Sequence, residues 1–298
     1  MTCFHPWLAC RGHGEKLGRY VPFSSPWAIP GTEILLPCGQ CIGCRLQRSR
    51  EWAARCVFEA SKHEHNSFIT LTYSPECLPE DGSLHYEHFQ AFIKRLRRRV
   101  DYHADLKIRF FMCGEYGEKF SRPHYHAILF GYDFPDKVFW SRNNGYPLYR
   151  SRMLEELWPF GYCTVGDVTF ESAAYVARYV TKKITGKDAD DWYQSRQPEF
   201  CQCSRKPGIA REWIEEYMSD VFPADKVILA NSIMMRPPRY FDAVYRQYDE
   251  EGFERIRQNR KSRAKMLEKK GELTRKRLKV KEQCKLMQVD KLKRGFES

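Results

Sequence analysis

The stretch CGEYGEKFSRPHYHAILF, residues 113–130, reads as two strands joined by a turn. His124 and His126 stand two apart in the second strand, so both side chains leave the same face of a sheet. Two imidazoles side by side can hold one divalent ion. Glu115, on the preceding strand, adds an oxygen if Gly117–Pro123 folds back as a hairpin. Such a set leaves coordination positions open for water and a phosphate oxygen, which a phosphodiester-cleaving ion requires. Taken alone, the pattern also fits two polar residues on a solvated face.

Outward from this hairpin the chain alternates short strands and amphipathic helices. Residues 67–73, SFITLTY, are short and rich in β-branched and aromatic residues, and Pro75 stops them, so they predict a strand. Phe89, Phe92, Ile93, Leu96 and Val100 recur at helical spacing and predict a helix over 86–100. A further helix is expected from about Cys44 to Lys62, a short one over 152–157, and a strand over 162–169. The last helix of this region, from Ser172 to about Ile184, ends before Gly186. This order predicts an α+β fold, an antiparallel sheet flanked by helices, and excludes a doubly wound parallel sheet. The expected organisation is an irregular Cys-containing N-terminal segment (1–45), a core (46–186), a mixed part packed on it (187–251) and a basic helical tail (252–298).

The chain has 298 residues, 42% hydrophobic and 14% aromatic, enough for a real core. No run approaches the roughly 18 apolar residues of a membrane span, and the first residues do not read as a secretory signal. Twelve cysteines without an export signal point to reduced thiols and a cytosolic protein. The net charge is +12, and residues 252–298 hold 17 Lys/Arg against 6 Asp/Glu. The tail therefore carries nearly all the excess charge. It suits a polyanion such as nucleic acid, or else is a solvated charged helix.

Two further clusters bear chemistry. In YVARYVTKK, residues 175–183, Tyr175 and Tyr179 lie one helical turn apart, with Lys182 and Lys183 following near that face. Ammonium groups favour the phenolate, and a metal on the scissile phosphate would polarise phosphorus for attack. The same residues also suit an amphipathic helix whose tyrosines cap a core. Cys38, Cys41 and Cys44 form a CysXXCysXXCys run, with Cys3, Cys10, Cys56 or His5 available as a fourth ligand. A structural Zn²⁺, an iron–sulfur cluster or no metal at all are the alternatives. Cys201 and Cys203 are a further thiol pair.

FITLTY (68–73), RPHYHAILF (122–130) and YVARYVTKK (175–183), in this order, resemble the three motifs of the HUH endonucleases. These are the rolling-circle replication initiators and relaxases, with an RRM-like antiparallel sheet. PCGQCIGCR (37–45), RKPGI (205–209) and RPPRYFD (236–242) look more specifically like the initiators of gokushovirus-type microviruses. The resemblance implies Mg²⁺ or Mn²⁺ on His124 and His126, with Glu115 matching the acidic ligand. It implies Tyr179, with Lys182, as the first nucleophile and Tyr175 as the second. One tyrosine would nick origin duplex DNA and join the 5′ phosphate, and the other would cleave the regenerated origin so that the displaced single strand is circularised.

The resemblance further implies action in the bacterial host cytoplasm. No Walker-type motif is visible, so a host helicase is expected beside a host DNA polymerase. The rival reading is a non-catalytic single-stranded nucleic-acid-binding module with a structural zinc site, in which Phe68, Tyr125 and Phe130 stack bases. A third is a metal-dependent hydrolase that uses water.

Overall fold

A computed structural model describes residues 3–100, 107–117, 120–143, 145–178, 188–229 and 233–291. The chain divides into two compact units, one from the N-terminal segment up to Arg48 with the tail from Arg257, the other from Ser49 to Ile256.

In the first unit, β1 (Trp7–Arg11), β2 (Tyr20–Pro22) and β3 (Ile34–Leu36) form an antiparallel sheet in the order β2-β1-β3. The segment expected to be irregular is so only outside these strands. Each is three to five residues long and none alternates cleanly between buried and exposed, so no two-residue period marks them. α1 (Ile42–Ala60) starts in this unit and continues into the second. The tail forms α9 (Glu250–Lys269) and α10 (Arg275–Asp290), separated at Gly271, whose φ of +70° suits a helix stop. His5 Nε2 lies 2.6 Å from Glu282 on α10, and Leu278 is buried.

The second unit is built on a seven-stranded sheet. Its strands are β4 (Asn66–Tyr73), β5 (Arg109–Tyr116), β6 (Pro123–Phe130), β7 (Val138–Asn143), β8 (Tyr146–Arg150), β9 (Gly161–Gly166) and β10 (Phe200–Cys203). The order is β10-β5-β6-β4-β9-β8-β7, with every neighbouring pair antiparallel. Side chains alternate between two covered faces. Ile69, Leu71, Tyr73, Met112, Tyr125 and Leu129 pack with Phe89, Phe92 and Leu96 of α2 (Tyr86–Arg99) and Leu154 of α3 (Arg152–Leu157). Phe68, Phe111, Cys113, Ile128 and Phe130 face Ala53 and Cys56 of α1 and Ala173 and Val176 of α4 (Phe170–Arg178). Burying each large apolar side chain contributes about 1.5–3 kcal/mol, which outweighs the modest helix propensity of these short elements.

Local signals fix where these elements begin and end. Arg97, Arg98 and Arg99 fill the last turn of α2 and complement its dipole. The Ser151 hydroxyl caps α3 by accepting from the Leu154 N–H at 3.1 Å. Gly161 has φ +149°, and a Cβ there would lie 2.2 Å from the Ser74 nitrogen, so Gly161→Ala would push β9 off the end of β4. Beyond the sheet, α5 (Asp188–Tyr193), α6 (Arg211–Glu216), α7 (Met218–Val221) and α8 (Arg239–Tyr248) are short. Their apolar residues Ile214, Phe222, Phe241 and Val244 gather on Ala54 and Phe58 of α1. Among the described residues, no helix is long and apolar enough to cross a membrane.

Candidate active site

The expected hairpin is present. β5 and β6 set Glu115 opposite His124 and Cys113 opposite His126, while β4 sets Thr70 opposite His126 from the other side. The pleat then puts Glu115, His124 and His126 on the face covered by α1 and α4. The hairpin closes with the Gly117 N–H donating to the Arg122 carbonyl at 3.0 Å.

Glu115 Oε1 lies 2.8 Å from Nε2 of His124 and 3.0 Å from Nε2 of His126. One ligand atom from each residue falls within 4.8 Å of the others. Glu115 and His126 are buried, and His124 is half-buried. The outer nitrogens are also held. Nδ1 of His124 donates to the Arg122 carbonyl at 3.0 Å, and Nδ1 of His126 shares a 2.9 Å hydrogen bond with the Thr70 hydroxyl. With its proton on Nδ1, a neutral His124 turns the Nε2 lone pair toward a carboxylate oxygen, acceptor to acceptor. A cation must stand between them, either a proton on the ring or a metal ion. Burial alone would raise the Glu115 carboxyl, but the hydrogen bonds from His124 and His126 outweigh it and hold it below its ordinary value. Two imidazole nitrogens and an ionised oxygen, oriented from behind by Thr70 and a carbonyl, fit a divalent ion.

α4 brings the tyrosine. Its first turn is closed by a reciprocal pair in which the Thr169 N–H donates to the Ser172 hydroxyl at 2.8 Å and the Ser172 N–H to the Thr169 hydroxyl at 3.1 Å. Ala173, Val176 and Ala177 seat the helix on the sheet, and Tyr175 meets His126 edge to face, with ring centroids 5.1 Å apart. Tyr179, Lys182 and Lys183 lie outside the described residues.

Phe68, Tyr125 and Phe130, the rings assigned to base stacking in the binding-module reading, are 4%, 0% and 0% exposed. They belong to the core and have no face to offer a base. The rings that do are Phe139 and Trp140 on the edge strand β7, 55% and 54% exposed. Arg142 lies 5.8 Å from the Phe139 centroid and Arg150 4.9 Å from that of Trp140. Sequence reasoning passed over this hairpin, although VFWSRN joins aromatic and cationic residues in one short run. It also gave Thr70 no role, because its place behind His126 depends on the β4–β6 register. In the first unit, Cys3 joins Cys38, Cys41 and Cys44, with the four sulfurs within 4.8 Å of one another. Cys201 and Cys203 on β10 pack against the core on the α4 side of the sheet.

An antiparallel sheet carrying two histidines and a glutamate beside a helix tyrosine defines a nucleotidyl-transfer class of site, and comparison with known proteins agrees with a nucleic-acid role. The model of the replication-associated protein ORF2 family matches residues 66–184, which run from β4 past α4. Replication-associated protein ORF4 of Chlamydia phage 1 is 38% identical over 218 residues, covering 71% of this chain and 54% of that protein. Replication-associated protein VP4 of Bdellovibrio phage phiMH2K is 36% identical over 217 residues, covering 71% and 67%. Replication-associated protein ORF2 of Spiroplasma virus 4 is 34% identical over 226 residues, covering 70% and 66%. The chain belongs to the family of phage replication-associated proteins. It spans about half the length of the Chlamydia phage relative. No solved structure matches it.

Proposed function

We propose that this protein initiates replication of a circular single-stranded phage genome by nicking its origin through a covalent tyrosine intermediate. The observation that carries the reading is the convergence of Glu115, His124 and His126 beside Tyr175. A divalent ion there, Mg²⁺ or Mn²⁺, supplies Lewis-acid polarisation of the scissile phosphate. Thr70 and the Arg122 carbonyl hold the two imidazoles in the orientation that presents Nε2.

The phenolic oxygen of Tyr179 or Tyr175 attacks phosphorus and the bond from phosphorus to the 3′ oxygen breaks. The tyrosine gives up its proton, the departing 3′ oxygen takes one, and the 5′ phosphate stays joined to the ring oxygen. Lys182 and Lys183 stabilise the phenolate and protonate the leaving oxygen. The freed 3′ hydroxyl primes a host DNA polymerase, with strand separation by a host helicase. A later attack by a 3′ hydroxyl on the phosphotyrosine restores the phosphodiester, frees the tyrosine and closes the circle. Phe139 and Trp140, each beside an arginine, offer stacking faces to the single strand and cations to its phosphates.

The test is incubation of the full chain with end-labelled single-stranded origin DNA and Mn²⁺, followed by denaturation. Label that stays on the protein, and is lost on chelation, supports the reading. Cleavage without an adduct would assign a hydrolase that uses water, and binding without cleavage would assign a binding module.

A further inference from the structure

Cys3, Cys38, Cys41 and Cys44 bring four sulfurs within 4.8 Å of one another, all inside the first unit. We propose that these four thiolates hold one zinc ion in a tetrahedral site that anchors the small N-terminal sheet. The proposal does not depend on the nicking reaction.

The distances favour a single ion. Zinc–sulfur bonds of about 2.3 Å at tetrahedral angles put each pair of sulfurs about 3.8 Å apart. The Cys3 sulfur lies 3.6 Å from that of Cys38 and 3.9 Å from that of Cys41. These separations are far beyond the roughly 2.05 Å of a disulfide, and all four cysteines are free. A two- or four-iron cluster spreads its cysteines over different irons, which four sulfurs so close together do not suit.

Four neutral thiols packed together are the ordinary alternative. Against it stand three main-chain donors aimed at sulfur. The Cys38 N–H reaches Cys3 Sγ at 3.2 Å, the Cys41 N–H reaches Cys38 Sγ at 3.3 Å and the Phe4 N–H reaches Cys41 Sγ at 3.3 Å. Four thiolates around a dication carry a net charge of minus two, and N–H donors pointing at the sulfurs offset that excess. Cys38, Cys41 and Cys44 are also only half-buried, unlike the core thiols Cys10, Cys56 and Cys113.

The backbone is shaped to present these sulfurs. Gly39, with φ +78°, turns the chain between Cys38 and Cys41 in a conformation other residues rarely adopt. The Cys41 carbonyl accepts the Arg45 N–H at 3.0 Å at the start of α1, and Cys44 follows one helical turn later. The other candidates for fourth ligand are engaged elsewhere, Cys10 within β1, Cys56 in the core of the second unit and His5 with Glu282. The need for an anchor is plain from the sheet it ties down. Within β1, β2 and β3 only Ala9, Cys10 and Val21 are buried, too little apolar surface for independent stability.

The test is metal analysis of the full chain, purified under reducing conditions and washed with a weak chelator. The expected result is about one zinc per chain, falling to about a tenth or less in Cys3→Ser and in Cys38→Ser. Zinc should be retained in the His124→Ala/His126→Ala chain, which separates this site from the catalytic one. Should the cysteine variants not fold, the wild-type chain reconstituted with Co²⁺ decides. A strong thiolate-to-cobalt absorption with the ligand-field bands of a tetrahedral S₄ site supports the proposal. Its absence, iron in place of zinc, or zinc that is lost with the histidines instead of the cysteines overturns it.

Discussion

The ring of Tyr175 stands edge-on to the imidazole of His126, with centroids 5.1 Å apart and planes at 84°. His126 is in turn tied to Glu115 and Thr70, so helix α4 meets the sheet at the proposed ion site itself. A phosphate held at His126 would lie beside the helix that carries both candidate nucleophiles.

The ion acts on the phosphate, whereas affinity for DNA comes from basic and aromatic surface. His124→Ala, His126→Ala and Glu115→Gln should therefore each lower the cleavage rate by about a thousandfold or more, equivalent to about 4 kcal/mol of transition-state stabilisation. Binding of the same oligonucleotide, followed by fluorescence anisotropy, should change by less than about threefold. Full cleavage by any of the three would remove that residue from the site.

Thr70 acts through His126, as a positioning residue. Thr70→Val removes the 2.9 Å hydrogen bond to Nδ1 while keeping the side-chain shape. Loss of such a partner typically costs about 10–100-fold in metal affinity or activity. The concentration of Mn²⁺ needed for half-maximal cleavage should rise, and Thr70→Ser should restore it. An unchanged Mn²⁺ requirement would show that the Thr70 hydroxyl only fills space.

On the β7–β8 hairpin, Phe139→Ala and Trp140→Ala should weaken binding of a single strand by about 1–3 kcal/mol each. Both rings are exposed, so thermal stability should scarcely change. Titrations with single-stranded and duplex origin DNA would check this, and equal losses on both would argue against stacking on unpaired bases.

The metal-site hairpin was legible because a two-residue period aligns His124 with His126 and a short turn returns Glu115 to them. The segment around β7 was not, since Val138, Phe139 and Trp140 are all exposed and show no alternation. β10 is four residues long, uniformly half-buried, and makes sense only beside β5. Cys3 could not be told from Cys10 as a zinc ligand, because 35 residues separate it from Cys38 and only the folded chain closes that distance. Phe68, Tyr125 and Phe130 show the same limit from the other side. An aromatic on a strand has one sequence pattern whether it fills a core or waits for a base.

The tail charge can be tested without deleting it, which matters because Ile256 on α9 is buried in the second unit and Leu278 on α10 is buried in the first. Lys261, Lys265, Lys269 and Lys279 are exposed on these two helices. If they meet phosphates, replacing all four with Gln should reduce the slope of log affinity against log salt by about 3 for duplex or single strand. An unchanged slope would assign the tail to a partner other than DNA.

The most direct test of the central claim is to locate the covalent bond. The full chain is reacted with origin DNA and Mn²⁺, the adduct is digested with protease and nuclease, and the peptide carrying the nucleotide remnant is sequenced by mass spectrometry. The account predicts the phosphate on Tyr179 or Tyr175, nicking by either single Phe variant, no circle closure by either, and no adduct from the double variant. A phosphotyrosyl bond on any other tyrosine, or an adduct from the Tyr175→Phe/Tyr179→Phe chain, would contradict it.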